Sequence, residues 1–345
     1  MSHTVYKHKA TFELELGQSF SEIDIAYHAY GELNAGKSNV VWICHAYTAN
    51  SDPMEWWPGM VGRGKFFDPD KHFIICANIL GSCYGTTGPL SINPETEKSW
   101  FRSFPEITVR DMAHAHILLA NHLGIDKIHI LIGASVGGHQ AMEWAICQPD
   151  RIRHLKLLVT NASFSPWAIA FNASQRMAIE ADSTFFLDRA DGGLKGLAAA
   201  RSIALLSYRN ATAYNLTQKE TETDKTSDFK VESYQRYQGE KLIRRFNAYS
   251  YYILSKSLDN HNVARGRNSF KEALGCIEAK TLIIGITTDM LIPVEEQKLL
   301  EAHIPNSRLE IIHSDFGHDG FLLENEILTK VFNEFIYNLK TTINA

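Results

Sequence analysis

The run Gly133-Ala134-Ser135-Val136-Gly137 constrains this chain more than any other segment. An apolar, strand-like run, Ile128 to Ile132, precedes it, and a helix-like stretch from Gly138 to Cys147, rich in Ala, Met, Gln and Glu, follows. A serine between glycines, entered from a strand and left by a helix, sits on a sharp turn with a strained backbone. The glycines on either side let strand and helix approach without Cβ clashes. The Ser135 hydroxyl then stands exposed at the C-terminal edge of a sheet, where a nucleophile is wanted.

A serine hydroxyl is a poor nucleophile at neutral pH and needs an adjacent base. Asp289 ends the apolar run Thr281 to Thr288, which reads as a buried parallel strand. His318 lies in the loop Asp315-Phe316-Gly317-His318-Asp319-Gly320, after the strand-like run Leu309 to His313. A loop histidine alone is usually a surface or capping residue. A strand-end aspartate is usually a helix N-cap, and Pro293 fits a helix start there. The order Ser135…Asp289…His318, each just past a strand, is that of the α/β-hydrolase fold. His318 would act as base and acid, and Asp289 would hold its tautomer and stabilise the imidazolium. Two backbone N–H groups are expected as an oxyanion hole. One belongs to Val136. The other is assigned to Tyr47, in the loop after the core strand Val40 to Cys44.

At 345 residues the chain can bury a large core, as one elaborated domain or a core with an insertion. A net charge of −5 argues against a general role on nucleic acid or at a membrane surface. Five cysteines, an odd number without metal-ligand spacing, argue against a disulfide framework or a metal site. The N-terminus carries no apolar signal-peptide segment, and no run approaches the roughly eighteen apolar residues of a membrane helix. The expected location is the cytoplasm.

Along the chain, Thr11 to Leu16 and Ile23 to Tyr30 read as a hairpin. Strand–helix alternation then runs to about residue 164. From 165 to 276 the pattern is helical, with segments expected at Ala168 to Ala181, Leu194 to Tyr208 and Lys241 to Leu258, and a polar link at Glu220 to Asp228. Alternation resumes at Thr281. The expected organisation is an α/β core, 1–164 and 277–345, carrying a helical lid inserted at 165–276.

Several motifs carry a more specific resemblance. They are Asn78-Ile79-Leu80-Gly81, Thr87-Gly88-Pro89-Leu90-Ser91-Ile92-Asn93-Pro94, and Phe104-Pro105-Glu106-Ile107-Thr108-Val109-Arg110-Asp111-Met112. Gly137-Gly138-His139-Gln140-Ala141-Met142-Glu143-Trp144-Ala145, Gln175-Arg176 with Ala178-Ile179, and Phe316 to Leu322 complete the set. Over nearly its whole length the chain resembles the homoserine O-acetyltransferase family. That resemblance implies a mostly parallel sheet flanked by helices, with an inserted helical lid. It implies acyl transfer from acetyl-CoA to the hydroxyl of L-homoserine, within methionine biosynthesis, through an acyl-serine. Acetyl-CoA is a co-substrate, and no metal or prosthetic group is implied.

In the family a lid arginine and a tyrosine seven residues later contact the amino-acid substrate, and Arg201 and Tyr208 keep that spacing. Two helical turns put them on one helix face. Arg201 would hold the α-carboxylate in a forked pair and Asp319 the α-ammonium. Against this, an arginine on an amphipathic helix commonly snorkels to solvent. Arg63 and Lys65 are weak candidates for the CoA phosphates. Apolar lid helices suggest a homodimer.

The chain departs from the family pattern at Val136, at Tyr47-Thr48-Ala49, at Thr86 and at His139, where the family usually has Met. These changes leave the donor (acetyl or succinyl) and the acceptor (homoserine or serine) open. An esterase or thioesterase with the same triad, or a non-catalytic binding protein of this fold, are the alternatives.

Overall fold

Apolar runs at the expected places, joined by the edge strand Thr4–His8, form one eight-stranded sheet in the computed structural model, which describes residues 3–337. The strands are β1 Thr4–His8, β2 Ile23–Tyr30, β3 Val40–Cys44, β4 Phe73–Ala77, β5 Ile128–Ala134, β6 Ile152–Leu158, β7 Lys280–Ile286 and β8 Ser307–Ile312. Their order in space is β1-β2-β4-β3-β5-β6-β7-β8. The six strands from β4 to β8 in that order run parallel, while β1 and β2 pair antiparallel. Every residue of β3 is buried, as expected of a parallel strand covered on both faces.

One core lies between the sheet and helices α1 (Val109–His122) and α2 (Val136–Cys147), with Trp42, Met112, Leu131 and Trp144 at its centre. The other core joins Ile43 and Ile132 to Phe332 and Phe335. The Thr108 to Asp111 motif is a capping box. Thr108 accepts from the Asp111 N–H, and Asp111 accepts from Thr108 N at 2.8 Å. Asp111 also accepts from Glu15 N at 2.8 Å, tying the N-terminal segment to α1.

Six helices stand between β6 and β7: α3 Pro166–Glu180, α4 Leu194–Tyr208, α5 Ala211–Thr217, α6 Lys230–Ile243, α7 Ala248–Asp259 and the short Phe270–Gly275 that leads into β7. The motif on α3 holds this layer together. Gln175 accepts from the Tyr251 hydroxyl at 2.5 Å, and Arg176 pairs with Asp259 at 2.5 Å. Helices α8 (Val294–His303) and α9 (Asn325–Tyr337) complete the sheet layers.

Two expectations fail. The helix expected over Lys241 to Leu258 is two helices. Asn247 accepts from Ser250 N at 2.8 Å and caps α7, so the chain leaves helical geometry after Ile243. The hairpin partner of Ile23 to Tyr30 is also different. Thr4–His8 pairs with that strand, Thr4 opposite Tyr27. Thr11 to Leu16 supplies only the two-residue strand Phe12–Glu13, paired with Ser19–Phe20, because the chain turns at Gly17, φ +86°.

Candidate active site

The parallel strands deliver Ser135 after β5, Asp289 after β7 and His318 after β8 to the same sheet edge. Ser135 has φ 54° and ψ −125°, a conformation that costs a non-glycine residue about 1–3 kcal/mol. Its neighbours enforce it. Ser135 N donates to Leu158 O at 2.9 Å, and Ser135 O accepts from Thr160 Oγ1 at 3.0 Å and His139 N at 3.1 Å. A Cβ at Gly133 would lie 2.0 Å from Gly137 O, and one at Gly137 would lie 2.1 Å from Cys44 O. Strand, helix and the end of β3 therefore meet backbone to backbone at this turn.

His318 Nδ1 and Asp289 Oδ2 are 2.7 Å apart and buried. The other Asp289 oxygen accepts from Leu291 N at 2.9 Å and Ile292 N at 3.0 Å. Asp289 thus caps the following turn and orients His318 at once. Burial opposes charging His318, but the Asp289 charge, its hydrogen bond and the nearby Asp319 outweigh it and raise the pKa above 6.5. With Nδ1 committed to Asp289, Nε2 is the nitrogen left for proton transfer. It is buried and bonds to no protein group among the described residues. The Ser135 hydroxyl has no hydrogen bond to it, a looseness common in sites without substrate.

Val136 opens α2, so its N–H has no intrahelical acceptor. The loop after β3 carries Tyr47. His45 Nε2 accepts from Ile79 N at 3.2 Å, which leaves Nδ1 to donate to Ala46 O at 2.9 Å. Burial holds His45 neutral, with its pKa near about 4. His45 O accepts from Gln140 of α2 at 3.5 Å. Among the described residues neither the Tyr47 nor the Val136 N–H donates to a protein acceptor.

The C-terminal end of α4 packs on the histidine loop. A Cβ at Gly317 would lie 3.2 Å from Tyr208 O. The Tyr208 and His318 ring centroids are 6.0 Å apart. The Arg201 guanidinium carbon lies 5.5 Å from the Tyr208 ring centroid, so the two share a face as the spacing requires. Arg201 is half-buried and makes no hydrogen bond or ion pair among the described residues. Asp319 pairs with Arg209, Nε to Oδ2 3.4 Å. Burial raises the Asp319 pKa, against the pull of Arg201, His318 and Arg209.

Sequence reasoning missed Arg209, although it adjoins Tyr208. It also missed Tyr251, whose carbonyl accepts from the Tyr47 hydroxyl at 2.5 Å, and Arg245, which donates to Thr48 O. No local pattern marks contacts across some two hundred residues. His139, one turn beyond Ser135, is buried, with Nε2 2.7 Å from Asn161 Oδ1 and its ring centroid 4.2 Å from that of His261.

Arg63 pairs with Asp70 at 3.4 Å on the surface. Lys65 lines a groove with Gly59, Phe66 and Asn325, to which none of Ser135, Asp289 and His318 contributes. Neither basic residue joins the triad's surroundings. Among the described residues no group of three or more His, Cys, Asp or Glu side chains could hold a metal ion. No helix there is long and apolar enough to cross a membrane.

A family model described as the α/β hydrolase fold matches residues 39–325. A homoserine O-acetyltransferase from Cyclobacterium marinum is 46% identical over 335 residues, covering 97% of this chain and 95% of its own. The crystal structure of homoserine O-acetyltransferase from Bacillus anthracis superposes with a TM-score of 0.88 at 26% identity, covering 97% of this chain and 98% of that one. An acetylester hydrolase from Corynebacterium glutamicum shares the fold, with a TM-score of 0.85 at 22% identity, covering 97% of this chain and 96% of that one. With the matching elbow, sheet order and near-complete coverage, the chain belongs to the homoserine O-acetyltransferase family, acyltransferases built on the α/β-hydrolase fold.

Proposed function

We propose that this enzyme moves an acetyl group from acetyl-CoA to the side-chain hydroxyl of L-homoserine through an acyl-serine. The observation that carries the reading is the buried His318–Asp289 pair, 2.7 Å long, whose free Nε2 shares a sheet edge with the strained Ser135. His318 takes the Ser135 proton as Oγ attacks the thioester carbonyl. The N–H groups of Tyr47 and Val136 receive the oxyanion. Collapse breaks the C–S bond, and the imidazolium gives its proton to the leaving thiolate. The acceptor hydroxyl then loses its proton to His318 and attacks the acyl carbon. Ser135 departs and regains a proton from His318. The half-buried, unpaired guanidinium of Arg201 suits an α-carboxylate, and Asp319 suits an α-ammonium. The residues call for no metal or prosthetic group in this chemistry.

Water at about 55 M competes with a dilute acceptor, but oriented groups reach effective molarities of roughly 10⁵ M or more. Helices α3 to α7 would act as the lid that orients the acceptor and narrows water's access. The reading extends to a cytoplasmic homodimer. Exposed Leu206, Leu216 and Tyr237 on the inserted helices suit the second protomer.

Thiol release from acetyl-CoA with and without homoserine tests the activity. Rapid turnover is expected only with homoserine present. Equal turnover without it would make the enzyme a thioesterase, and no turnover in either case would leave a binding protein. Serine and succinyl-CoA, run in the same assay, should be the poorer substrates. Sedimentation tests the dimer.

A further inference from the structure

The loop after β3 is fastened to the inserted helices through a side chain. The Tyr47 hydroxyl donates to the carbonyl of Tyr251 on α7 at 2.5 Å, and the ring centroids are 4.6 Å apart. Both tyrosines are buried, and burial raises the pKa of each, so the hydroxyl is a permanent donor at neutral pH. Arg245, just before α7, donates to Thr48 O and to the Tyr84 hydroxyl, a second fastening of the same loop. On its other side the loop is held to the core, through Ile79 N on His45 and Gln140 on His45 O. Tyr47 therefore stands between the nucleophile's helix and the inserted helices, and its own N–H is free.

The Tyr251 ring continues the chain of contacts. Its hydroxyl donates to Gln175 of α3 at 2.5 Å, and its side chain interacts with that of Tyr208. Tyr208 in turn lies beside His318 and Arg201. A leucine at position 47 would fill space there but offer no donor to the Tyr251 carbonyl. The phenolic O–H, together with the Arg245 contact to Thr48, thus sets the distance between the loop and α7.

We infer that the Tyr47 hydroxyl is a positioning group for the oxyanion hole. By tethering the loop to α7 it sets where the Tyr47 N–H points, so the inserted helices take part in transition-state stabilisation as well as in substrate access. The inference rests on the proposed acyl-serine reading. It has a particular consequence: the oxyanion forms with any acyl donor, so losing the tether should slow acylation by every donor. Binding of CoA, which the hydroxyl does not contact in this role, should be unaffected.

The test uses the full chain as purified enzyme, with acetyl-CoA and with p-nitrophenyl acetate, and measures the rate of the first-turnover burst. Tyr47→Phe keeps the ring and removes the donor. It should slow acylation about 10- to 100-fold with both donors, the cost of displacing one oxyanion donor by a fraction of an ångström to an ångström. The acetyl-CoA concentration giving half-maximal burst rate should stay within about twofold. Tyr252→Phe is the control. It removes a lid hydrogen bond of 2.7 Å to Glu180, on the same helix but away from the loop, and should acylate normally. Thermal melting of both variants checks that each is folded.

Normal acylation by Tyr47→Phe would overturn the inference. So would a loss confined to acetyl-CoA, a loss residing in the half-saturating concentration, or an equal loss in Tyr252→Phe. A burst that survives in Ser135→Ala would instead strike at the acyl-serine reading, whatever Tyr47→Phe does.

Discussion

Lys156→Met should stabilise this protein, and by more at pH 6 than at pH 9.5. Lys156 lies on β6, fully buried, and its Nζ has no hydrogen-bond partner. Three aromatic rings surround the ammonium, with centroids at 4.5 Å (Phe332), 4.9 Å (Phe335) and 5.8 Å (Phe66). Burial, and then the charge of Lys280, push its pKa from 10.5 down to about 7. At about 1.4 kcal/mol per tenfold change in proton affinity, that displacement costs the folded state at most about 5 kcal/mol. The sign follows from proton counting. Between pH 7 and 10.5 the unfolded chain holds a proton on this amine that the folded chain has released, so stability rises with pH across that window. Below pH 7 both states are protonated and the whole penalty applies. The advantage of the Met variant should therefore be about 3 kcal/mol larger at pH 6 than at pH 9.5. Urea unfolding of both proteins at both pH values measures it. Groups common to the two proteins cancel in the double difference, including the neighbouring His154 and His129 to the extent that they ignore position 156. A double difference near zero would refute the reasoning and mean that the amine finds water or an acceptor in the folded state.

Other outcomes bear on the site. Ser135→Ala should fold normally and lose turnover by several orders of magnitude, as loss of a triad member does; substantial activity in the purified variant would remove Ser135 from the mechanism. The rate should rise with pH through one ionisation whose midpoint lies above 6.5, since Asp289 raises the His318 pKa and the neutral imidazole is the base. A flat profile between about pH 5 and 8 would mean that no histidine limits the reaction. Arg201→Ala should cut transfer efficiency by roughly 30- to 1,000-fold while leaving the acetyl-CoA burst nearly unchanged, and Arg201→Lys should restore little. An equal loss in the burst would assign Arg201 to CoA binding or to folding of the inserted helices.

What could be read in the sequence depended on whether the information is local. The elbow was legible because strand, glycines, serine and helix are contiguous. Asp289 and His318 were legible because parallel strands must release their loops at one edge, so chain order alone brings them together. Lys156 was not. Its neighbours Leu155 and Leu157 are apolar, and alternation would turn Lys156 outward in a sheet with one solvated face. In this parallel sheet the second face is covered too, and the lysine is enclosed. The break between α6 and α7 went unread because an asparagine N-cap has a weak signature inside a helical composition. The Arg209–Asp319 and Tyr47–Tyr251 contacts join segments 110 and 204 residues apart, and no periodicity encodes either.

These long-range contacts matter most where chemistry alone does not decide the outcome. A serine–histidine–aspartate arrangement activates water as readily as an alcohol, so the triad by itself separates neither transfer from hydrolysis nor one acceptor from another. That separation must come from groups that orient an acceptor. In the proposed reading the candidates for that task cluster where α4 meets the histidine loop: Arg201 over Tyr208, Tyr208 beside His318, and Asp319 paired with Arg209. Asp319 already has a cation at 3.4 Å, so an incoming α-ammonium must share the carboxylate with Arg209 or displace it. Arg201 makes no hydrogen bond or ion pair of its own among the described residues and acts on Asp319 only at longer range. An acceptor carboxylate therefore meets an uncommitted partner and an acceptor ammonium a committed one. Removing the carboxylate from the acceptor should cost more transfer than removing its amine. Comparing homoserine with its decarboxylated and deaminated analogues tests this order, and the reverse order would place the carboxylate elsewhere than on Arg201.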